Sequence, residues 1–134
     1  MFAQIVVVLD QPAPLEDMAI ALRGAGHVVM AFADPLAAMP ALASARVLVT
    51  RVNFAPGKPH GIALAQMAKV KNPGIKVLFT ASSKYEAEAQ ELGEFLPLPV
   101  SMSDLVSTVG RLLGPVSQGA APGLARALLA TSSD

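Results

Sequence analysis

Polar side chains follow three apolar segments of the sequence, at points where a small site could form. Asp10 comes after IVVVL, Thr50 and Arg51 come after ARVLV, and Thr80 comes after KVLF. A divalent cation needs several oxygen ligands, so the single carboxylate of Asp10 is a poor magnesium site. An unactivated threonine hydroxyl is a weak nucleophile, which argues against catalysis by Thr50.

Motifs that carry nucleophilic, nucleotide or metal chemistry are absent from the sequence. It contains no G-x-S-x-G elbow, no Walker loop and no G-x-G-x-x-G dinucleotide motif. Because there is no cysteine, disulfides and thiolate catalysis are excluded. His27 and His60 stand alone, without the neighbouring carboxylates of a metal site. We therefore expect a protein that is not an enzyme and that uses no cofactor and no metal.

Composition and charge limit the partners that the chain could have. The length of 134 residues suits one folded domain, and the 53% of hydrophobic and 15% of charged residues argue against a disordered chain. The formal net charge of zero argues against nucleic acid as a partner. No apolar stretch approaches the roughly 20 residues of a membrane span, and the N-terminus does not resemble a signal peptide. We expect a cytoplasmic location and no membrane partner.

Short apolar runs recur along the chain and favour β-strands. They cover residues 4–9, 27–32, 45–50, 76–80 and 94–96. The first four are continuous and rich in β-branched residues, as in strands that are covered on both faces. Helical patterns fill the gaps between the runs. The alternation predicts an α/β protein of the flavodoxin-like class, a (βα)₅ doubly wound parallel sheet with strand order 2-1-3-4-5.

Such a sheet would position the polar residues of interest. The carboxyl ends of parallel strands lie at one edge of an open α/β sheet, and binding sites form beyond that edge. Asp10, Thr50, Arg51 and Thr80 all stand where a predicted strand ends. We therefore expect them to share one region of the fold.

Helix signals are clearest in the second predicted helix. Asp34 is a favourable N-cap residue, and Pro35 occupies the first helical position. Pro40 lies inside the same segment, so this helix should be short, kinked or partly unwound. A polar but helix-prone fourth helix is expected over residues 85–92.

Apolar stripes predict which faces of the other helices pack against the sheet. The stripes are Leu15, Met18, Ala19 and Leu22 in the first helix, Ala63, Met67 and Val70 in the third, and Leu105, Val109 and Leu112 in the fifth, which follows a Ser101 cap. The composition then changes to a linker rich in Gly, Pro and Ser. We assign residues 1–114 to one domain and residues 115–134 to a flexible tail with a possible short helix.

Several segments resemble the response-regulator receiver domains of the CheY-like type. IVVVLDQP resembles their first strand, which ends in an acidic pair, with Leu9 at the first acid and Asp10 at the second. LFTA keeps the hydroxyl residue of the fourth strand as Thr80. LPLPV keeps the proline of the fifth strand as Pro99 but has Leu98 in place of the lysine. The resemblance extends from Phe2 to about Leu113.

The resemblance implies a phosphorylation pocket, and this chain lacks most of its chemistry. In receivers an aspartate at the end of the third strand accepts the phosphoryl group, with magnesium held by the acids. Thr50 or Arg51 occupies that position here, and neither is a carboxylate. We therefore interpret Asp10, Thr50, Arg51, Thr80 and Leu98 as a vestigial phosphoacceptor pocket. The resemblance implies a pseudo-receiver that acts in two-component signal transduction without phosphorylation.

Two local questions remain open within that pocket. Arg51 could form an ion pair with Asp10, as a permanent substitute for the missing cation, or it could be solvated on a loop. Asp10 could be a remnant of the acidic pair, or it could cap the first turn of the following helix.

The expected output is an interaction with another protein. In receivers the fourth helix, fifth strand and fifth helix form the usual contact surface, which implies an interface at Tyr85, Glu88, Phe95 and Leu105. The partner would be a protein such as a histidine kinase pathway component, or a second copy of the chain. Alternatives are an atypical response regulator that senses a small anionic ligand or is still phosphorylated, and a small flavodoxin-like enzyme.

Overall fold

The computed structural model describes residues 4–52 and 61–114. The strands are β1 (Ile5–Val8), β2 (Val29–Phe32), β3 (Val47–Arg51), β4 (Lys76–Ala81) and β5 (Glu94–Pro97). The helices are α1 (Pro12–Gly24), α2 (Pro35–Leu42), α3 (Gly61–Lys71), α4 (Glu86–Gln90) and α5 (Met102–Leu113), with a 3₁₀ turn at Ser83–Tyr85 before α4. The predictions for His60 and for the tail at 115–134 lie outside the described residues.

The strands form one parallel sheet with the order β2-β1-β3-β4-β5. This confirms the predicted flavodoxin-like topology. The IVVV sequence of β1 is buried throughout because β1 lies inside the sheet and is covered on both faces. A continuous apolar run is therefore the correct signal for this strand.

Alternating strand residues feed two separate hydrophobic layers. On one face, Val7 and Leu78 pack with Leu22 of α1 and Leu105 of α5. On the other face, a second layer contains Val6, Leu48 and Phe79 of the sheet together with Leu42 of α2, Leu64 of α3 and Ala89 of α4. The sheet is thus enclosed between two helical layers, and its strand ends remain available for a site.

The start and length of α2 follow the sequence signals. The Asp34 side chain accepts a hydrogen bond from the backbone N–H of Leu36 at 3.4 Å, and Pro35 is the first helical residue. The helix has only eight residues and contains Pro40. The predicted N-cap and the predicted short length are both confirmed.

The buried face of α3 differs from the predicted one. Val70 is 84% exposed and Met67 is also exposed, whereas Leu64, Ala65 and Ala68 are buried. The predicted stripe was wrong because α3 is apolar on two adjacent faces, and each has helical spacing. The face with two alanines packs inward, since small side chains allow the helix to lie close to the sheet.

The fourth and fifth helices refine the predictions at the other end of the sheet. The predicted helix at 85–92 is shorter, because a 3₁₀ turn precedes it and α4 ends at Gln90. Ser101 caps α5 as predicted, accepting a hydrogen bond from the N–H of Asp104 at 3.0 Å. Leu113 is buried more completely than Leu112. Within the described residues, no helix has the length and hydropathy needed to cross a membrane.

Candidate functional site

A cavity of about 270 Å³ lies at the carboxyl edge of the sheet, beside α1 and the start of α5. We call it the rim cavity. Its polar lining residues are Asp17, Arg51 and Thr80, and its apolar lining includes Leu9, Met18, Leu98, Val100 and Met102. The cavity therefore combines a polar region with a somewhat larger apolar wall.

Strand register places Arg51 and Thr80 together in this cavity. Arg51 of β3 is the register partner of Thr80 of β4, so their side chains project from the same face of the sheet. Both residues line the rim cavity. A guanidinium Nη1 of Arg51 donates a hydrogen bond to Oε1 of Gln11 at 3.2 Å, and Gln11 immediately precedes α1. Arg51 is thus directed toward the residue that follows Asp10.

Thr80 is the buried polar group of the cavity. Its side chain is fully buried, and its Oγ1 atom has no hydrogen-bond partner among the described residues. Leaving a buried hydroxyl unpaired costs about 1–3 kcal/mol. A buried polar atom without a partner is uncommon in folded proteins and requires an explanation.

Thr50 has a different environment, although it precedes Arg51 directly. Its hydroxyl donates a hydrogen bond to the backbone carbonyl of Arg51 at 3.0 Å, and its side chain is fully buried. By strand alternation, Thr50 projects from the face of the sheet opposite to Arg51. Thr50 is not among the described residues that line the rim cavity.

Asp10 is half-buried at the end of β1 and is likewise not among the described residues that line the cavity. Helix α1 begins at Pro12, with Gln11 as its N-cap residue. Pro12 and Pro14 have no backbone N–H, so the first turn of α1 offers few donors for a capping carboxylate.

Leu98, a member of the predicted vestigial pocket, provides apolar surface at this edge of the sheet. It lines the rim cavity, its side chain is partly exposed at 39%, and its backbone N–H donates to the carbonyl of Ala81 at 3.0 Å. The Leu98–Pro99 peptide bond is cis. The cationic group supplied to this region by the described cavity residues is therefore Arg51 on β3.

The described residues that line the rim cavity do not fit a magnesium ion. The ion prefers several oxygen ligands, and carboxylates above all. The wall contains Leu9, which has no oxygen ligand in its side chain, and the cation of Arg51 lines the same cavity. In the parts of the chain that the structure describes, no cluster of three His, Cys, Asp or Glu side chains could hold a metal.

The expected partner surface is divided between exposed and buried residues. Glu88 of α4 is exposed, and Tyr85 and Phe95 are half-buried against the core. The Lys84 ammonium lies 5.2 Å from the centre of the Tyr85 ring. Leu105 is fully buried, so its placement at a partner surface was wrong: the apolar stripe of α5 packs onto the sheet.

Comparisons with known proteins identify the architecture. The sequence matches no protein-family model and no curated protein sequence. Its structure is similar to a response regulator receiver protein from Sinorhizobium medicae, with 22% identity, a TM-score of 0.74, and coverage of 85% of this chain and 96% of the other. It is also similar to the receiver domain of the hybrid histidine kinase CckA, with 25% identity, a TM-score of 0.68, and coverage of 81% and 97%.

The structure is also similar to a CheY-like receiver domain protein from Methanospirillum hungatei, with 20% identity, a TM-score of 0.73, and coverage of 89% of this chain and 100% of the other. The fold is that of a receiver domain. Likeness at this level of identity establishes the receiver fold, and the chemistry has to be argued from the residues of this chain.

Sequence reasoning missed part of the site that the receiver fold creates. Asp17, Met18, Val100 and Met102 all line the rim cavity, but none had been assigned to a pocket. Met18 had been predicted on the buried stripe of α1, which was a usable signal. The contribution of Val100 and Met102 depends on the path of the chain between β5 and α5, and no periodic pattern predicts that path.

Proposed function

We propose that this chain is a non-phosphorylatable pseudo-receiver that acts in cytoplasmic signal transduction through protein–protein interaction, and that it is not an enzyme. The observation that carries the proposal is the pairing of Arg51 with Thr80 at the carboxyl edge of the sheet. It supports placing a cation where receivers place their phosphoacceptor.

The assignment of the acceptor position rests on strand register. In receivers, the acceptor aspartate and the hydroxyl residue of the fourth strand contact the same phosphoryl group, so both must project into one pocket. Of the two candidates, Arg51 is paired with Thr80 and shares its cavity, whereas the Thr50 hydroxyl is bonded to a backbone carbonyl on the opposite face. Arg51 therefore occupies the acceptor position.

This substitution removes the chemistry of phosphoryl capture. A guanidinium remains protonated in proteins, so Arg51 cannot attack phosphorus as a carboxylate does. Leu9 cannot ligate the magnesium ion that would balance the phosphoryl charge, and Leu98 cannot replace the neutralising lysine. The site thus lacks a nucleophile at position 51, a metal ligand at position 9 and a cation at position 98.

The acidic surface around α4 is the proposed point of contact with a partner. Glu86, Glu88 and Glu91 are all exposed there. On the neighbouring elements, Arg111 of α5 and Glu94 of β5 form an exposed ion pair at 3.2 Å. Clustered carboxylates favour a partner with a basic surface, such as a histidine kinase pathway component or a basic patch of a second copy.

Phosphorylation is tested by incubating the full chain with acetyl phosphate and Mg²⁺, followed by intact-mass measurement. A catalytically competent receiver in the same reaction is the positive control. We expect no mass increase for this chain. A phosphoryl adduct that is lost at alkaline pH, as an acyl phosphate is, would overturn the proposal.

The contact surface is tested separately by charge reversal. Binding to purified histidine kinase domains, and self-association by sedimentation, are measured for wild type, Glu88→Arg and Glu16→Arg. Glu16 is exposed on α1, in the other helical layer, and provides the matched control. We expect Glu88→Arg to weaken the interaction and Glu16→Arg to leave it unchanged. Equal effects of the two changes would contradict the assignment of the surface.

A further inference from the structure

The rim cavity has the composition of a binding site for a small organic anion. Thr80 lies on the side of the cavity that faces the protein interior. It is fully buried, and its Oγ1 atom has no hydrogen-bond partner among the described residues. Arg51 supplies a cation beside it on the neighbouring strand. The remaining wall is mostly apolar. A ligand that satisfies both polar groups and covers the wall would remove the cost of the unpaired hydroxyl.

We propose that this cavity binds a small aliphatic carboxylate, with its carboxylate group at Arg51 and Thr80 and its hydrocarbon chain against Leu9, Met18 and Met102. Arginine presents five N–H donors, and the contact with Gln11 uses one of its nitrogens. Donors therefore remain for a carboxylate, which pairs well with a guanidinium. The proposal concerns ligand binding and does not depend on the choice of protein partner.

The apolar wall favours a carboxylate over a phosphate. A phosphate dianion has more oxygen atoms to satisfy, and Arg51 is the cation that the described lining provides. A monocarboxylate needs fewer donors, and burial of its chain contributes about 0.8 kcal/mol for each CH₂ group. A volume of about 270 Å³ lies just below the range of drug-sized pockets, which favours a ligand of a few carbon atoms.

Asp17 distinguishes two kinds of aliphatic carboxylate, an α-amino acid and a simple acid without an ammonium group. It lies on α1, its side chain is exposed, and it lines the cavity together with Arg51. A carboxylate at this position would attract the ammonium group of an aliphatic α-amino acid, and it would repel a simple aliphatic acid weakly. The two ligand types therefore respond in opposite directions to the removal of the Asp17 charge.

The proposal is tested on the full chain by calorimetric titration and thermal shift with 4-methylpentanoate and L-leucine. The probes 4-methylpentanamide, acetate and inorganic phosphate lack the charge, the chain or the carboxylate, respectively. We expect saturable binding of at least one of the two acids and little response to the three controls. Binding of neither acid, or equal binding of the amide, would overturn the proposal, as would a response to phosphate alone.

Two variants assign the contacts to the predicted groups. Thr80→Val removes the hydroxyl with little change in shape, and Arg51→Gln removes the charge. Each should weaken binding of the responding acid by about tenfold or more. Thr50→Val is the matched control and should leave the affinity unchanged, because its hydroxyl is bonded on the opposite face. Unchanged affinity in Thr80→Val, with the variant shown to be folded, would contradict the proposed pose.

Asp17→Asn then separates the two sources. Weaker binding of L-leucine in this variant identifies the amino acid as the ligand class. Unchanged or tighter binding of 4-methylpentanoate identifies a simple acid. Either result supports the binding of a carboxylate at Arg51. An equal loss of binding for both acids would contradict the proposed pose.

Discussion

Thr50 and Thr80 are both fully buried near the ends of adjacent strands, yet within residues 4–52 and 61–114 they differ in hydrogen bonding. The Thr50 hydroxyl donates to the carbonyl of Arg51 at 3.0 Å, whereas the Thr80 hydroxyl has no partner in these two described ranges. The two threonines therefore form a natural pair for measuring the free energy of an unpaired buried hydroxyl.

Replacing each threonine with valine should change stability in opposite directions. Thr80→Val removes an unsatisfied polar group, so the free energy of unfolding should rise by about 1 kcal/mol. Thr50→Val removes a hydroxyl that has a partner, so here the free energy of unfolding should fall by about 1 kcal/mol. Both changes introduce valine into a strand. The β-strand propensity of valine therefore cancels when the unfolding free energies of the two variants, measured by urea denaturation, are compared. Equal shifts in the two variants would contradict the bonding pattern.

The close approach of α3 to β3 fixes the backbone beside Arg51. A Cβ atom added at Gly61 would overlap the carbonyl of Arg51, and the Gly61 N–H donates to the carbonyl of Val52 at 2.7 Å. Gly61→Ala should therefore lower the free energy of unfolding by about 2 kcal/mol or more. Gly110, within α5, has open space around the same position. Gly110→Ala should raise stability by about 0.5–1 kcal/mol. Thermal and urea unfolding measure the stability of both variants. An unchanged free energy of unfolding in Gly61→Ala would refute the close contact.

The two apolar faces of α3 can be distinguished by truncation. Leu64 is fully buried, whereas Val70 is 84% exposed. Leu64→Ala should cost about 2–5 kcal/mol of unfolding free energy, as expected for a large side chain lost from a core. Val70→Ala should change it by no more than about 0.5 kcal/mol. A larger loss for Val70→Ala than for Leu64→Ala, in the same denaturation assay, would reinstate the face that the sequence pattern indicated.

Restoring a carboxylate at position 51 tests the acceptor assignment. Arg51→Asp places an acid beside Thr80, at the edge where Asp10 ends the first strand, so this variant should gain stabilisation by Mg²⁺. Arg51→Asn has a side chain of the same size without the charge and should show no such effect. Melting temperatures with and without Mg²⁺ provide the measurement. Equal responses from the two variants would argue against Arg51 as the acceptor position.

The topology could be predicted from the sequence because a parallel sheet has a strong local signature. Continuous β-branched runs such as IVVV of β1 and the capping residues Asp34 and Ser101 are local signals, and each depends on few neighbours. Leu105 shows the limit of the family resemblance. It lies on a surface element, but its own side chain points into the core.

The composition of the site could be predicted only in part. The residue types of Arg51, Thr80 and Leu98 were recognisable, but the proposed choice of Arg51 over Thr50 rests on the register of β3 against β4. Register depends on long-range packing, and a shift of one residue reverses the face of every side chain. The apolar wall formed with Met102 depends on how the chain enters α5, which is also a tertiary property.

The most direct test of the central claim is a crystal structure of the full chain grown with Mg²⁺ and beryllofluoride, a mimic of the phosphoryl group. We predict no beryllium centre bonded to a carboxylate at the carboxyl edge of the sheet and no magnesium ion beside Asp10. Density for beryllofluoride joined to a carboxylate there, with a coordinated magnesium ion, would contradict it.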